Sequence, residues 1–443
     1  MRIQQQRPHY LAAALDEALT DVPPVESRGR VLEAVGTLVK ATGVQARIGD
    51  LCELRSSDLS WRMYAEVIGV QRQTTLLMPF GELDGISVQT EVVHCGTAPT
   101  IRVGDALLGR VVDGFGQPID GLGALKGTQD FRVHNRPPNA LDRKRIQRPL
   151  QTGVRAIDAV LTCGEGQRTG VFAPAGAGKS TLLAMIAQGT AADVTVVGLI
   201  GERGREVREF IDNVVTPGRA ANTVVVVATS DRPAGERVKA ANVATAIAEY
   251  FRQQNRSVLL LIDSVTRYAR ALREIGLAAG EPPTRRGYPP SVFSALPTLV
   301  ERAGQSAQGA ITAFYTVLVD DEEGDPIGEE LRALLDGHIV LSRELAAADH
   351  YPAIDVAASR SRVMSHVASN EHRKAAAALR ELLAKHADIQ VLLQIGEYKA
   401  GADATADKAI RCKPNITKFL RQQLGERTSL PETVAFLRRV AES

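Results

Sequence analysis

Residues 168–189, RTGVFAPAGAGKSTLLAMIAQG, set a lysine and two hydroxyls directly behind a run of small residues. Such a run binds phosphate for physical reasons. Small residues such as Gly176 and Gly178 let the backbone curl, so that successive N–H groups point inward at an oxyanion. A helix opening at Lys179 adds its unpaired N–H groups and the positive end of its dipole. The loop fits G-x-x-x-x-G-K-[ST] except that Ala173 replaces the first glycine. On this reading Ala175, Gly176, Ala177 and Gly178 form the cradle and Lys179 reaches the β- and γ-phosphates. The Ser180 hydroxyl ligates Mg²⁺, and Thr181 completes the binding set. The ligand expected is a nucleoside triphosphate.

Two carboxylates have the positions that triphosphate chemistry requires. Residues 257–263, SVLLLID, form an apolar run that ends in Asp263, as expected for a strand carrying a Mg²⁺-holding aspartate. Residues 197–203, VGLIGER, place Glu202 just past another apolar run, where a carboxylate can orient an attacking water. Glu206 and Glu209, expected on the following helix, compete for that role, and residue types alone leave the choice open.

The elements that must position these groups alternate between strand and helix. Apolar strands are predicted at residues 170–172, 194–200, 223–228, 258–262, 311–319 and 338–341, with an amphipathic helix over 236–254. Nearly continuous apolar runs suit a parallel sheet buried on both faces, with ligands at the carboxyl ends of its strands. Residues 27–96 have a different texture. Short strands at 30–35, 51–54, 63–70, 74–78 and 92–94, separated by turn signals, predict a small closed β-barrel. Residues 97–150 read as a Pro- and Arg-rich transition whose Arg143-Lys144-Arg145 run is a solvated connector.

From about residue 369 the pattern turns helical, with Leu379, Leu382 and Leu383 at 3–4 spacing and Pro414 and Pro431 punctuating two further helices. A short helix is predicted over residues 9–20. The expected divisions are a tail at 1–26, the barrel at 27–96, the nucleotide-binding domain at 97–368 and a helical domain at 369–443.

Composition narrows the functional classes. The 443 residues exceed one hydrophobic core. Net charge is 53 − 51 = +2 and aromatics are 4%, which argues against a nucleic-acid binder. The four cysteines lie far apart without metal spacing, as free thiols of a reducing compartment would. No apolar run approaches the roughly 20 residues that span a bilayer, so a soluble, cytoplasmic protein is expected.

Longer stretches carry a family resemblance. GERGRE (201–206), LLLIDSVTRYARALREI (259–275), GYPPSVFSALPTLVERAG (287–304) and PAIDVAASRS (352–361) resemble the rotary ATP synthase and bacterial secretion ATPase superfamily. PLQTGVRAIDAVLTCGEGQ (149–167), FYTVLVDDEEGDPIGEELRALLDGHIVLSREL (314–345) and IGEYKAGADATADKAI (395–410) are similar to the type III secretion ATPases of injectisomes and flagellar export.

The resemblance implies an α/β RecA-like P-loop core between an N-terminal β-barrel and a C-terminal helical domain. It implies a homohexamer with ATP and Mg²⁺ at subunit boundaries. By position, Glu202 polarises water, Arg203 meets the γ-phosphate or orders Glu202, and Tyr351 stacks on adenine. Arg362 matches the arginine finger that enters the neighbour's site. Arg360 departs from the family, which more often has an apolar residue there. Implied partners are coiled-coil stalk and stator proteins and chaperone–effector complexes, at an export gate on the cytoplasmic face of the inner membrane. No nucleic acid is expected.

Competing readings are a flagellar export ATPase, a rotary synthase subunit, a non-catalytic ring subunit and a termination-factor-like RNA translocase. Glu202 argues against the non-catalytic subunit and residues 395–410 against the synthase.

Overall fold

A computed structural model describes residues 28–215, 220–319 and 324–442. The helix expected over residues 9–20 lies outside them. The chain divides into two compact units, Met1–Pro99 and Thr100–Ser443.

The described part of the first unit is a closed antiparallel barrel. Its strands are β1 (Arg28–Val35), β2 (Leu38–Thr42), β3 (Leu51–Arg55), β4 (Arg62–Val70), β5 (Thr75–Pro79) and β6 (Glu91–His94). They pair in the order β1-β2-β5-β4-β3-β6, and β6 returns to β1. Alternation puts one face of each strand inside, as with Cys52 and Leu54 on β3, which join Val31, Val39, Ala65, Val67 and Leu77 in the core. Five strands fall where the sequence predicts them, and β2 is the addition. It pairs with β1 through a hairpin that brings Val35 opposite Leu38, with Gly36 at φ 66°.

The second unit opens with β7 (Thr100–Val103), β8 (Val111–Asp113) and β9 (Gln129–Arg132), then α1 (Arg155–Val160). The nucleotide-binding core follows: β10 (Arg168–Ala173), α2 (Lys179–Gly189), β11 (Val194–Ile200), α3 (Gly204–Val214), β12 (Thr223–Ala228), α4 (Ala234–Gln253), β13 (Ser257–Asp263) and α5 (Val265–Ala278). Next come α6 (Pro290–Val300), β14 (Gly304–Gln305), β15 (Ala310–Leu318), α7 (Pro326–Leu334), β16 (Gly337–Leu341), α8 (Arg343–Ala347) and β17 (Ile354–Ser361). Helices α9 (Met364–Val367), α10 (Asn370–Gln394), α11 (Ala404–Leu420) and α12 (Leu430–Glu442) complete it.

The main sheet runs β17-β16-β10-β15-β13-β11-β12-β8, with the short β14 beside β15. It is parallel from β16 to β8, and β17 and β14 are antiparallel. Every residue of β11 and β12 is buried, as a sheet covered on both faces requires.

Residues 97–150 are more than a transition. β8 forms an edge of the main sheet, β7 pairs with β9, and Arg143 is anchored to the Glu301 and Ala303 carbonyls instead of solvated. These strands are only three or four residues long, too short for a periodic pattern to announce them.

The C-terminal helices share one apolar cluster with the core, in which Leu379, Leu382, Ile416, Phe419 and Leu437 join Val160 and Leu183. Buried Arg155 fastens α11 to α1 by donating from Nε to the Phe419 carbonyl (2.9 Å) and pairing with Glu426. Pro414 does not end a helix; it sits inside α11. Its missing N–H removes one bond, and the buried face of Ala409, Cys412, Ile416 and Phe419 carries the helix through. Pro431 lies in the first turn of α12, where its N–H is not needed.

Candidate functional site

The candidate residues gather at the carboxyl ends of adjacent strands. β10 runs into the loop at residues 174–178, and α2 opens at Lys179 with Gly178 as its N-cap at φ 81°. Ala175, Gly176, Ser180 and Thr181 are exposed, so the loop is accessible to a ligand. A side chain at Gly176 would meet no heavy atom within 4 Å, which leaves open the space that a phosphate would enter. Two strands across, β13 ends in Asp263. Beyond it β11 ends at Ile200, and Gly201 (φ 67°) turns the chain so that Glu202 faces back toward the loop.

These turns converge on one ammonium. Lys179 Nζ donates to Glu202 Oε1 at 2.9 Å and to Asp263 Oδ1 at 2.5 Å. Thr316, on the intervening β15, donates to the same Asp263 oxygen at 2.7 Å. Arg267, on the first turn of α5, holds the other Glu202 oxygen at 2.8 Å and donates to the Gly201 carbonyl. Glu202 and Asp263 are buried, so each charge is costly unless paired. Burial raises the Asp263 pKa above the ordinary carboxylate range, although Lys179 pulls the other way. Burial acts to lower Lys179, but the Asp263 and Glu202 carboxylates outweigh it and raise its pKa, keeping the ammonium charged.

Among Glu202, Glu206 and Glu209, only Glu202 touches Lys179. Arg203 is 80% exposed at the start of α3, with an ion pair to Glu206 at 3.7 Å, and is not brought to the cluster. Arg267 and Thr316 are the residues that sequence reasoning missed. Arg267 had a signal, lying one helical turn after Asp263. Thr316 had none, because its approach depends on the strand order.

Tyr351 stands against the loop, since a Cβ at Gly178 would lie 3.0 Å from its ring. Tyr351 and Thr181 line a cavity of about 630 Å³ with Arg155, Arg421, Gln422 and Leu424. The wall from residues 421–426 was not legible in sequence. Arg362 is elsewhere. Its N–H donates to the Asp336 carbonyl (3.0 Å), and the Asp336 N–H donates to Arg168 at the beginning of β10 (2.9 Å). The loop leaves β10 at its far end, roughly 16 Å along the strand.

No cluster of three or more His, Cys, Asp or Glu among the described residues could hold a metal by itself. The donors do fit Mg²⁺, which takes one or two protein ligands and completes its shell with phosphates and water. Both hydrogen bonds to Asp263 fall on Oδ1, leaving Oδ2 without one from the described residues, and Ser180 is exposed at the loop.

Comparison with known proteins agrees along the chain. Residues 153–361 match the ATP synthase alpha/beta family nucleotide-binding domain, and residues 31–96 match that family's beta-barrel domain. Residues 368–439 match the T3SS EscN ATPase C-terminal domain. A type 3 secretion system ATPase of Xanthomonas euvesicatoria is 52% identical over 433 residues, 98% of each chain. A flagellum-specific ATP synthase of Bacillus subtilis is 47% identical over 411 residues, 92% of this chain and 94% of its own.

The structure of assembled EscN from the enteropathogenic E. coli type III secretion system superposes with a TM-score of 0.88 at 47% identity. It covers 93% of this chain and 100% of that one. EscN in complex with its central stalk EscO gives 0.86 over the same coverage.

Fold and site define a RecA-like P-loop ATPase with an N-terminal β-barrel and a C-terminal helical region. Within that class the chain belongs to the type 3 secretion system ATPases, enzymes that hydrolyse ATP to drive type III protein export.

Proposed function

We propose that ATP binds with its phosphates on residues 175–181, its base against Tyr351 and its reacting end facing Glu202. The observation that carries this reading is the Lys179 ammonium shared between Glu202 and Asp263 at the ends of neighbouring strands. Lys179 and the loop N–H groups neutralise the β- and γ-phosphates. Ser180 and Asp263 hold Mg²⁺, whose charge offsets that developing on the phosphates. Glu202, steered by Lys179 and Arg267, orients the attacking water and accepts its proton. Arg203, at the turn after Glu202, is the less favoured candidate for a γ-phosphate contact, because its guanidinium is exposed.

Arg362 acts in trans. Its place at the opposite end of β10 from its own loop supports a role in a neighbouring protomer's site. The working form is then a homohexamer with one site per subunit boundary, as the assembled relative suggests. A stalk passing through the ring is the first partner expected, since EscN binds EscO. Among the described residues no helix is long and apolar enough to cross a membrane. We place the ring at the cytoplasmic face of the export gate, where turnover releases chaperones from effectors and helps unfold them. Stator proteins and the chaperone–effector complexes are its further partners.

Glu202→Gln tests the assignment. ATP affinity should stay within a few-fold while turnover falls by about 10³. Retained steady-state hydrolysis would remove Glu202 from the chemistry. Flagellar export is the second reading, favoured by the 47% identity to a flagellum-specific relative.

A further inference from the structure

Between the end of β17 and α10 lies an open cavity of about 1000 Å³ whose polar wall is cationic. Arg360, Arg362, Arg373 and Arg380 line it with His338, and no carboxylate lines it. The four guanidinium groups are not equivalent. Arg380 donates to the Val160 carbonyl, and Arg373 to the Ser365 carbonyl and Asn370, so these two belong to the wall. Arg362 has one long contact, 3.5 Å to the Arg332 carbonyl. The Arg360 guanidinium has no hydrogen bond or ion pair from the described residues.

Burial and the cations Arg332, Arg362 and Arg360 lower the His338 pKa, and burial with Arg360 lowers that of Arg380. Like charges therefore face one another here without an internal anion. That arrangement is unfavourable unless a polyanion enters.

The backbone gives the two less constrained arginines a common aim. Arg360 pairs with His338 on β16, and Arg362 follows two residues later with its N–H on Asp336. Both residues line the same cavity, so one polyanion entering it meets both guanidinium groups. Their own phosphate loop lies at the other end of β10, so the polyanion comes from outside the protomer.

We propose that Arg360 joins Arg362 in a two-guanidinium clamp on the triphosphate held by the neighbouring protomer. Arg362 meets the transferring phosphate. Arg360 binds the non-transferring phosphates and so contributes to ATP affinity more than to the chemical step. This rests on the shared-site reading given above, and it adds a residue to it. An apolar side chain at this position would leave the finger alone, so the clamp is a property of this chain.

The test compares wild type, Arg360→Val, Arg360→Lys and Arg362→Ala. Steady-state ATP hydrolysis is measured with assembled rings, and binding of a fluorescent non-hydrolysable ATP analogue with both rings and dilute protomers. In rings, Arg360→Val should raise KM and the analogue Kd about tenfold, as expected for losing a charge-assisted contact, with kcat changed less. Arg360→Lys should recover part of the loss. In dilute protomers, where no neighbour is present, all four proteins should bind the analogue equally.

An unchanged KM and Kd for Arg360→Val in rings would overturn the clamp. An equal loss in dilute protomers would also overturn it, by showing that Arg360 acts on its own fold. Normal turnover of Arg362→Ala rings would refute the shared site separately, whatever Arg360 does.

Discussion

At the scale of single residues, Lys179 has two carboxylate partners and Glu202 has two cationic ones. Removing one cation should therefore misdirect Glu202 without emptying the site. Arg267→Ala is expected to lower kcat on the order of 10²-fold, the usual cost of losing one positioned donor, while ATP affinity changes little. Equal losses in kcat and in affinity would instead assign Arg267 to ground-state binding. Lys179, Ser180 and Asp263 were legible in the sequence because each is fixed by its immediate neighbours. Thr316 was not, because its contact exists only once β15 is inserted between β10 and β13.

Asp158 offers a stability test away from the chemistry. Burial pushes its pKa up to about 7, against donors from Thr152 N, Thr152 Oγ1 and Gly153 N. The folded protein thus binds this proton more tightly than the unfolded chain, where the ordinary value is 3.8. Stability from this group is full below the unfolded value and declines as pH rises toward 7. Asp158→Asn should be less stable overall, since its amide N–H₂ group opposes those donors. Its thermal midpoint should also lose part of the wild-type decline between about pH 4 and pH 7. A variant that keeps the full decline would assign the slope to other groups.

At the scale of elements, the turn from β10 into α2 carries the tightest constraint. Gly178 sits at φ 81°, and a Cβ there would press on the Tyr351 ring at 3.0 Å. Gly178→Ala should weaken ATP binding about tenfold, given the ~1–2 kcal/mol that the left-handed conformation costs other residues. Binding of wild-type strength would show that the loop can relax.

The long apolar strands were readable because burial on both faces writes them as continuous runs, as in β11 and β12. β2, β8 and β9 were not, since they are short and lean on partners for their pairing. Pro414 misled for the opposite reason. A local helix breaker was overruled by the packing of α11, through Ile416 and Phe419, on the shared core.

At the scale of the whole molecule, the geometry separates Arg362 from the loop of its own chain. On the proposed reading a protomer holds the machinery for binding ATP, and its neighbour completes the machinery for turnover. Specific activity should therefore rise with protein concentration as rings form. Specific activity that stayed constant on dilution to protomers would contradict a shared site.

Mixing two inactive variants measures the shared site most directly. Arg362→Ala and Lys179→Ala should each lower turnover by about 10³-fold or more when assembled alone. In rings assembled from equal parts of both, about one boundary in four pairs an intact loop with an intact arginine, by the geometry of a ring with a repeated interface. The account predicts that hydrolysis returns in such mixed rings, with a loop from one protomer and a guanidinium from the next. Assembled mixed rings that stay as inactive as either parent would contradict it.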